Sequence, residues 1–89
     1  MIKTNITINN KLGLHARASA KLTKLTGTFR SDIFMSRSGR RVNAKSIMGV
    51  MMLAAGLDSE VTIETVGERD QEALDAIVAL INDKFGEGE

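Results

Sequence analysis

The single histidine of this 89-residue chain stands where a helix could hold an anion. His15 follows Gly13, which allows a sharp turn, and precedes Ala16 and Arg17 at the predicted start of a helix. Backbone N–H groups at a helix start attract anions, and the Arg17 guanidinium suits phosphate oxygens. Because a neutral imidazole can attack a phosphoryl group, the pattern predicts a phosphate site with His15 as its nucleophile. Local chemistry leaves two alternatives open: an ordinary surface or capping histidine, and an anion site without a reaction.

A serine before a methionine-rich segment is the second candidate site. Ser46 is a good N-cap for a helix over 47–55, and a phosphate on its hydroxyl would face the helix dipole favourably. Methionine at helical spacing usually fills the core, but Met48 and Met52 lie one turn apart, as do Ile47 and Met51. A short helix cannot turn all four inward. We therefore expect part of this segment to form an exposed apolar docking surface.

The hydropathy pattern predicts the elements that position these residues. Period-2 alternation indicates strands, and apolar residues three or four apart indicate helices. Strands are expected over 2–8 and 60–67, a hairpin over 29–42 with its turn at Ser38 and Gly39, and helices over 16–26, 47–55 and 70–85, with Asp70 as candidate cap and 86–89 as a frayed tail. The order βαββαβα favours an α+β fold in one domain over 1–89, with helices on one face of a largely antiparallel four-stranded sheet.

Composition excludes several classes of function. The absence of cysteine and the presence of one histidine argue against disulfides, thiol chemistry and a zinc site, so we expect no metal and no cofactor. A net charge of +1 and three phenylalanines as the only aromatic residues argue against nucleic acid as a partner. We interpret Arg37, Arg40 and Arg41 as a solvated sheet edge.

The N-terminus and the hydropathy profile bear on location. The chain has no apolar stretch long enough for membrane insertion, and its N-terminus lacks the apolar segment of a signal peptide. We therefore expect a cytoplasmic protein.

Two motifs together resemble the HPr family, the histidine-containing phosphocarriers of the bacterial phosphotransferase system. They are residues 13–17, GLHAR, and residues 45–51, KSIMGVM, and the resemblance extends over essentially the whole chain. It implies an open-faced β-sandwich, in which three helices cover one face of four antiparallel strands. It also implies a phosphoryl group on Nδ1 of His15, stabilised by Arg17, that comes from phosphoenolpyruvate through enzyme I and leaves for an enzyme IIA domain. Such a protein is a monomeric carrier and not an enzyme with turnover.

The resemblance also implies a partner-binding surface and a regulatory site. The partner-binding residues would be Ala16, Ala20, Lys24, Ile47, Met48, Gly49, Met51 and Met52. Ser46 would be phosphorylated by an HPr kinase/phosphorylase, and the alternative function is a regulatory interaction module controlled by that modification. Two residues depart from the family pattern: Leu12 replaces a small polar residue that can contact the imidazole, and Ala18 replaces proline. Residues 9–15 look more like the nitrogen-related branch than the sugar-transport branch.

Overall fold

The strands and helices follow the predicted order. The computed structural model describes residues 1–87. Its elements are β1 (Ile2–Thr7), α1 (Ala16–Thr26), β2 (Asp32–Arg37), β3 (Arg40–Asn43), α2 (Ile47–Met52), β4 (Glu60–Val66), α3 (Asp70–Asn82) and a terminal 3-10 turn (Lys84–Gly86). None of the helices in residues 1–87 is long and apolar enough to cross a membrane.

The sheet has β4 and β2 at its centre. Its order is β1-β4-β2-β3, every neighbouring pair is antiparallel, and Met35 of β2 lies opposite Ile63 of β4. Alternation turns Ile33, Met35, Val61 and Ile63 toward the helices, where all four are almost completely buried. The predicted open-faced α+β fold is confirmed. The sequence pattern left the strand order open.

The helices cover this apolar face with the periodic residues that predicted them. Ala18 and Leu22 of α1 and Ile77 and Ile81 of α3 are fully buried. Burial of each large aliphatic side chain contributes about 1.5–3 kcal/mol, so α1 is held to the sheet by packing. This fixes the end of α1 that carries His15.

The ends of two helices differ from the prediction. The helix expected over 47–55 ends at Met52. Asp70 is the first residue of α3 and not its cap, because Arg69 occupies the cap position with a left-handed backbone, φ 58°. The acidic side chain of Asp70 still lies in the first turn, where it complements the helix dipole.

Residues 84–87 form an ordered turn, so the predicted frayed tail is wrong for Gly86 and Glu87. The helix expected over 70–85 ends at Asn82, and Lys84 and Phe85 then have positive φ values of 55°. This reversal buries the Phe85 side chain in the core, and the Lys21 ammonium donates to the Phe85 carbonyl at 2.6 Å. The chain is thereby returned toward α1. The last part of the expected tail, residues 88–89, lies outside the described residues.

The three hairpin arginines also bind the protein itself. Arg40 and Arg41 are exposed on the edge strand β3, in agreement with the predicted solvated sheet edge, and Arg37 is half-buried on β2. Arg37 donates to the Leu53 carbonyl at 3.0 Å and Arg40 to the Met52 carbonyl at 3.1 Å. These carbonyls belong to the end of α2, where the helix itself supplies no donors. The hairpin therefore caps α2 from outside.

The third arginine predicts a pH dependence of stability. Arg41 lies 3.7 Å from the Phe34 ring centroid and donates to both Glu64 carboxylate oxygens, at 3.3 and 3.2 Å. These hydrogen bonds, opposed by burial and aided by the charges of Arg41 and Lys3, lower the pKa of Glu64. Because the folded pKa lies below the unfolded one, the stabilisation is complete above about pH 5 and is lost as the pH falls through the folded pKa.

Glu64→Gln should therefore flatten the acid limb of the stability curve. Urea unfolding between about pH 3 and pH 6 should show a smaller fall in unfolding free energy than in the unmodified chain. Glu60→Gln, at an exposed position of the same strand, is the matched control. Parallel curves for the Glu64 variant and the unmodified chain would contradict the assignment.

Candidate functional site

The turn before His15 requires glycine. Gly13 has φ +63°, and a Cβ there would lie 2.3 Å from the Ala55 carbonyl oxygen and 2.6 Å from the Gly56 Cα. Leu14 donates its backbone N–H to the same Ala55 carbonyl at 2.8 Å. The loop that follows α2 thus holds the residue before His15.

His15 occupies the N-cap position of α1 without capping it through its side chain. Its backbone is extended, φ −73° and ψ 179°, and its carbonyl accepts from the Ser19 N–H at 2.9 Å. The N–H groups of Ala16 and Arg17 belong to the first turn, whose donors have no acceptors within the helix. The imidazole therefore projects beside a set of donors suited to an anion.

The imidazole lines an open, basic cleft of about 570 Å³. The lining residues are Lys11, Leu12, His15, Ala16, Arg17, Lys21, Gly86 and Glu87. Three of them are cations and one is a carboxylate. Arg17 is exposed, and within residues 1–87 its guanidinium forms no ion pair. The cleft thus brings His15 and Arg17, the two residues of the predicted phosphate site, together with Lys11 and Lys21.

One ring nitrogen of His15 already has a partner. Nε2 lies 2.6 Å from a carboxylate oxygen of Glu87, whose other oxygen accepts from Asn10 at 3.0 Å. Burial raises the pKa of Glu87, but the hydrogen bonds from Asn10 and His15, with the charges of His15 and Lys21, lower it overall. An ionised carboxylate can only accept, so Nε2 carries the hydrogen. In the neutral ring the lone pair then lies on Nδ1.

Sequence reasoning missed four residues of this site, which are Lys11, Lys21, Asn10 and Glu87. Lys21 could have been found, because it lies one helical turn beyond Arg17 on α1. Asn10 gave only the signal of a turn, although its side chain is completely buried. Glu87 gave no signal, since its placement depends on the chain reversal at Lys84 and Phe85.

The two departures from the family pattern have different consequences. Leu12 is 67% exposed at the edge of the cleft and offers the imidazole no polar contact; Glu87 makes that contact instead. Ala18 is completely buried in the first part of α1, where its small side chain packs into the core.

Ser46 caps α2 as predicted, since its hydroxyl oxygen accepts from the Gly49 N–H at 3.1 Å. Val50 is the one residue of α2 that is buried. The other apolar side chains form the methionine patch, which consists of Ile47, Met48, Met51 and Met52, 38–67% exposed. The expectation that part of this segment is exposed is confirmed.

The remaining residues of the expected docking surface fall into two groups. Ala16, Ala20 and Lys24 are exposed at four-residue spacing, along one face of α1. Gly49 instead faces β3, because a Cβ there would lie 3.3 Å from the Asn43 carbonyl oxygen. Helices α1 and α2 pack against each other, so the α1 face and the methionine patch belong to adjacent elements.

Among residues 1–87 no three histidine, aspartate or glutamate side chains come together in a way that could hold a metal ion.

The fold and the cleft define a small α+β domain with an imidazole at a helix start, in a basic cleft. A family model described as the PTS HPr component phosphorylation site matches residues 2–83. The chain belongs to the HPr family, the phosphocarriers of the phosphotransferase system.

Proteins of similar sequence and solved structures of similar fold match nearly the whole chain. The phosphocarrier protein HPr of Cupriavidus necator is 66% identical over 89 residues, which is 100% of both chains. The crystal structure of HPr-C-His from Thermoanaerobacter tengcongensis has a TM-score of 0.95 at 41% identity and 98% coverage of each chain. An HPr dimer from the same organism has a TM-score of 0.79 at 41% identity, covering 98% of this chain and 100% of the other.

Proposed function

We propose that this chain accepts a phosphoryl group on Nδ1 of His15 from phospho-enzyme I and passes it to an enzyme IIA domain. The group originates from phosphoenolpyruvate. The observation that carries the proposal is the Nε2 contact with Glu87, 2.6 Å, which leaves the Nδ1 lone pair as the nucleophile. The basic cleft and the family membership support the same role.

The transfer requires only positioning and charge stabilisation. The Nδ1 lone pair attacks phosphorus as the bond from phosphorus to the donor atom of enzyme I breaks, and that donor atom keeps the electron pair. The Arg17 guanidinium and the first-turn N–H groups of α1 stabilise the phosphoryl oxygens. The reverse sequence delivers the group to enzyme IIA. The chain is thus a carrier and not an enzyme with turnover.

The partners of this carrier would dock on the methionine patch and the adjacent face of α1. Methionine side chains adapt to unlike surfaces, and Arg17 and Lys24 complement acidic partners. Rapid exchange between enzyme I and enzyme IIA calls for small, transient interfaces. The monomeric state and the cytoplasmic location expected from the sequence stay predictions.

A regulatory role for Ser46 is the second candidate function. Its hydroxyl stands at the start of α2, directly before the methionine patch. A phosphate added there by an HPr kinase/phosphorylase would place about two negative charges beside the docking surface and leave the helix start favourably charged. The chain would then act as an interaction module that this modification controls.

Phosphorylation of the chain by phosphoenolpyruvate and enzyme I tests the carrier proposal. After incubation with phosphoenolpyruvate and enzyme I, the intact mass should increase by one phosphate that is lost in acid. Adding the host's enzyme IIA domains one at a time should discharge it, and the domain that does so fastest identifies the sugar-transport or nitrogen-related branch. An unmodified mass in the presence of phosphorylated enzyme I would overturn the proposal.

Ser46→Asp should slow phosphorylation by enzyme I roughly ten-fold through a lower association rate, because it puts a negative charge at the edge of the docking surface. Aspartate is also a good N-cap, so thermal unfolding should stay near that of the unmodified chain. Ser46→Ala is the control: it should cost about 1 kcal/mol of stability and leave transfer unchanged. Equal transfer rates for the aspartate and alanine variants would count against the docking surface.

A further inference from the structure

We propose that Glu87 is a positioning residue for His15. Its carboxylate, itself oriented by buried Asn10, accepts the Nε2–H and presents the Nδ1 lone pair to the phosphoryl donor. It also balances the positive charge that the ring acquires when Nδ1 is phosphorylated. The inference rests on the proposed carrier function and adds a residue that the sequence pattern does not indicate.

Three groups form a continuous hydrogen-bonded chain. His15 Nε2 lies 2.6 Å from Glu87 Oε2, and Glu87 Oε1 accepts from Asn10 Nδ2 at 3.0 Å. The same Asn10 amide donates to the Gly13 carbonyl at 2.8 Å, which ties the arrangement to the turn before His15. Asn10 is completely buried and the Glu87 side chain is 13% exposed, so solvent competes weakly for these hydrogen bonds.

The core holds Glu87 in place from the other side. Phe85, two residues earlier, is 1% exposed in the core, and its carbonyl accepts from the Lys21 ammonium at 2.6 Å. The backbone N–H of Glu87 donates to the Lys84 carbonyl at 3.0 Å. The carboxylate is therefore carried by an ordered turn anchored to α1.

The Glu87 carboxylate stabilises the positive charge that the transfer step creates on the imidazole. When Nδ1 forms its bond to phosphorus, the proton stays on Nε2 and the ring becomes formally cationic. A carboxylate at hydrogen-bond distance from Nε2 stabilises that cation, and fixed dipoles or charges that are in place beforehand need no reorganisation during the reaction. No proton has to move, so atoms and charge balance without a further reactant.

The surrounding charges keep the anion site itself positive. Lys11, Arg17 and Lys21 line the same cleft, and Glu87 is its one acidic lining residue within the described part of the chain. Glu87 meets the ring at Nε2, the nitrogen opposite the proposed acceptor. One carboxylate can therefore support the ring while the cleft keeps a net positive charge for the phosphoryl oxygens.

Nitrogen-15 spectroscopy of the unphosphorylated chain tests the contact without any transfer partner. The imidazole should carry its hydrogen on Nε2, with proton exchange slowed at least ten-fold relative to Glu87→Ala. Glu60→Gln, which removes an exposed carboxylate on β4, should leave the signal unchanged. A hydrogen on Nδ1, or equal exchange in the chain and the Glu87→Ala variant, would overturn the proposal.

Transfer kinetics test the consequence for function. Glu87→Ala should slow phosphorylation by enzyme I about ten-fold, the lower end of the range for loss of a residue that orients a metal-ligating histidine. Glu87→Gln keeps an oxygen that can accept from Nε2 but loses the charge. Its phosphorylation rate should therefore lie between those of the unmodified chain and the Glu87→Ala variant. If the unmodified chain is phosphorylated and both variants match it, the role of Glu87 is wrong while the carrier function stands. If the unmodified chain takes up no phosphate, the carrier function fails instead.

Discussion

Replacing His15 with alanine should abolish acid-labile phosphorylation of the chain by enzyme I. The sequence contains one histidine, so no second imidazole can take over. The basic cleft would still bind phosphate oxygens through Arg17 and Lys21, but binding supplies no nucleophile. Intact-mass measurement after incubation with phosphoenolpyruvate and enzyme I should therefore show no adduct, where the unmodified chain gains one phosphate.

The same variant should stay folded, which makes the loss interpretable. The His15 side chain is 26% exposed, and within residues 1–87 its imidazole makes one polar contact, with Glu87, so we expect a stability change of about 1 kcal/mol. Circular dichroism and thermal unfolding check this directly. An acid-labile adduct that persists in the alanine variant would place the phosphoryl group elsewhere and refute the assignment of His15.

The part of the site that is local in sequence could be predicted. Gly13, His15 and Arg17 lie within five residues of one another, and the start of a helix determines how such residues are arranged. Glu87 is 72 residues away from His15, and its position depends on the reversal after α3. No periodic pattern encodes that reversal, because Lys84 and Phe85 adopt a left-handed backbone that their residue types do not favour.

As with the site, the local features of the fold could be predicted from the sequence and the long-range contacts could not. Alternation, helical spacing, the turn at Ser38 and Gly39 and the cap at Ser46 located the seven strands and α-helices of residues 1–87. The order of strands in the sheet and the hydrogen bonds of the hairpin arginines could not be predicted, because both depend on which elements distant in sequence come into contact. Arg37 and Arg40 flank a polar turn, which indicates exposure to solvent. The sequence does not show that their guanidinium groups donate to the carbonyls at the end of α2.

Gly13→Ala should destabilise the chain by about 3 kcal/mol or more. An alanine at φ +63° costs about 1–2 kcal/mol, and its Cβ would overlap the Ala55 carbonyl, 2.3 Å away. Relief of that overlap breaks the buried hydrogen bond from Leu14 to the same carbonyl, at a cost of about 1–3 kcal/mol. A domain of this size has about 5–15 kcal/mol in total, so the melting temperature should fall by about 12–24 °C.

Gly39→Ala separates the overlap from the backbone term. Gly39 has φ +82° but no atom within 4 Å of the position of a Cβ. This variant should therefore lose about 1–2 kcal/mol of stability, the cost of placing alanine in the left-handed conformation. Because the Gly13 variant also displaces the residue before His15, its rate of phosphorylation by enzyme I should fall at temperatures where it is still folded, while that of the Gly39 variant should not. Equal melting temperatures for the two variants would show that the contact between Gly13 and the loop after α2 contributes nothing to stability.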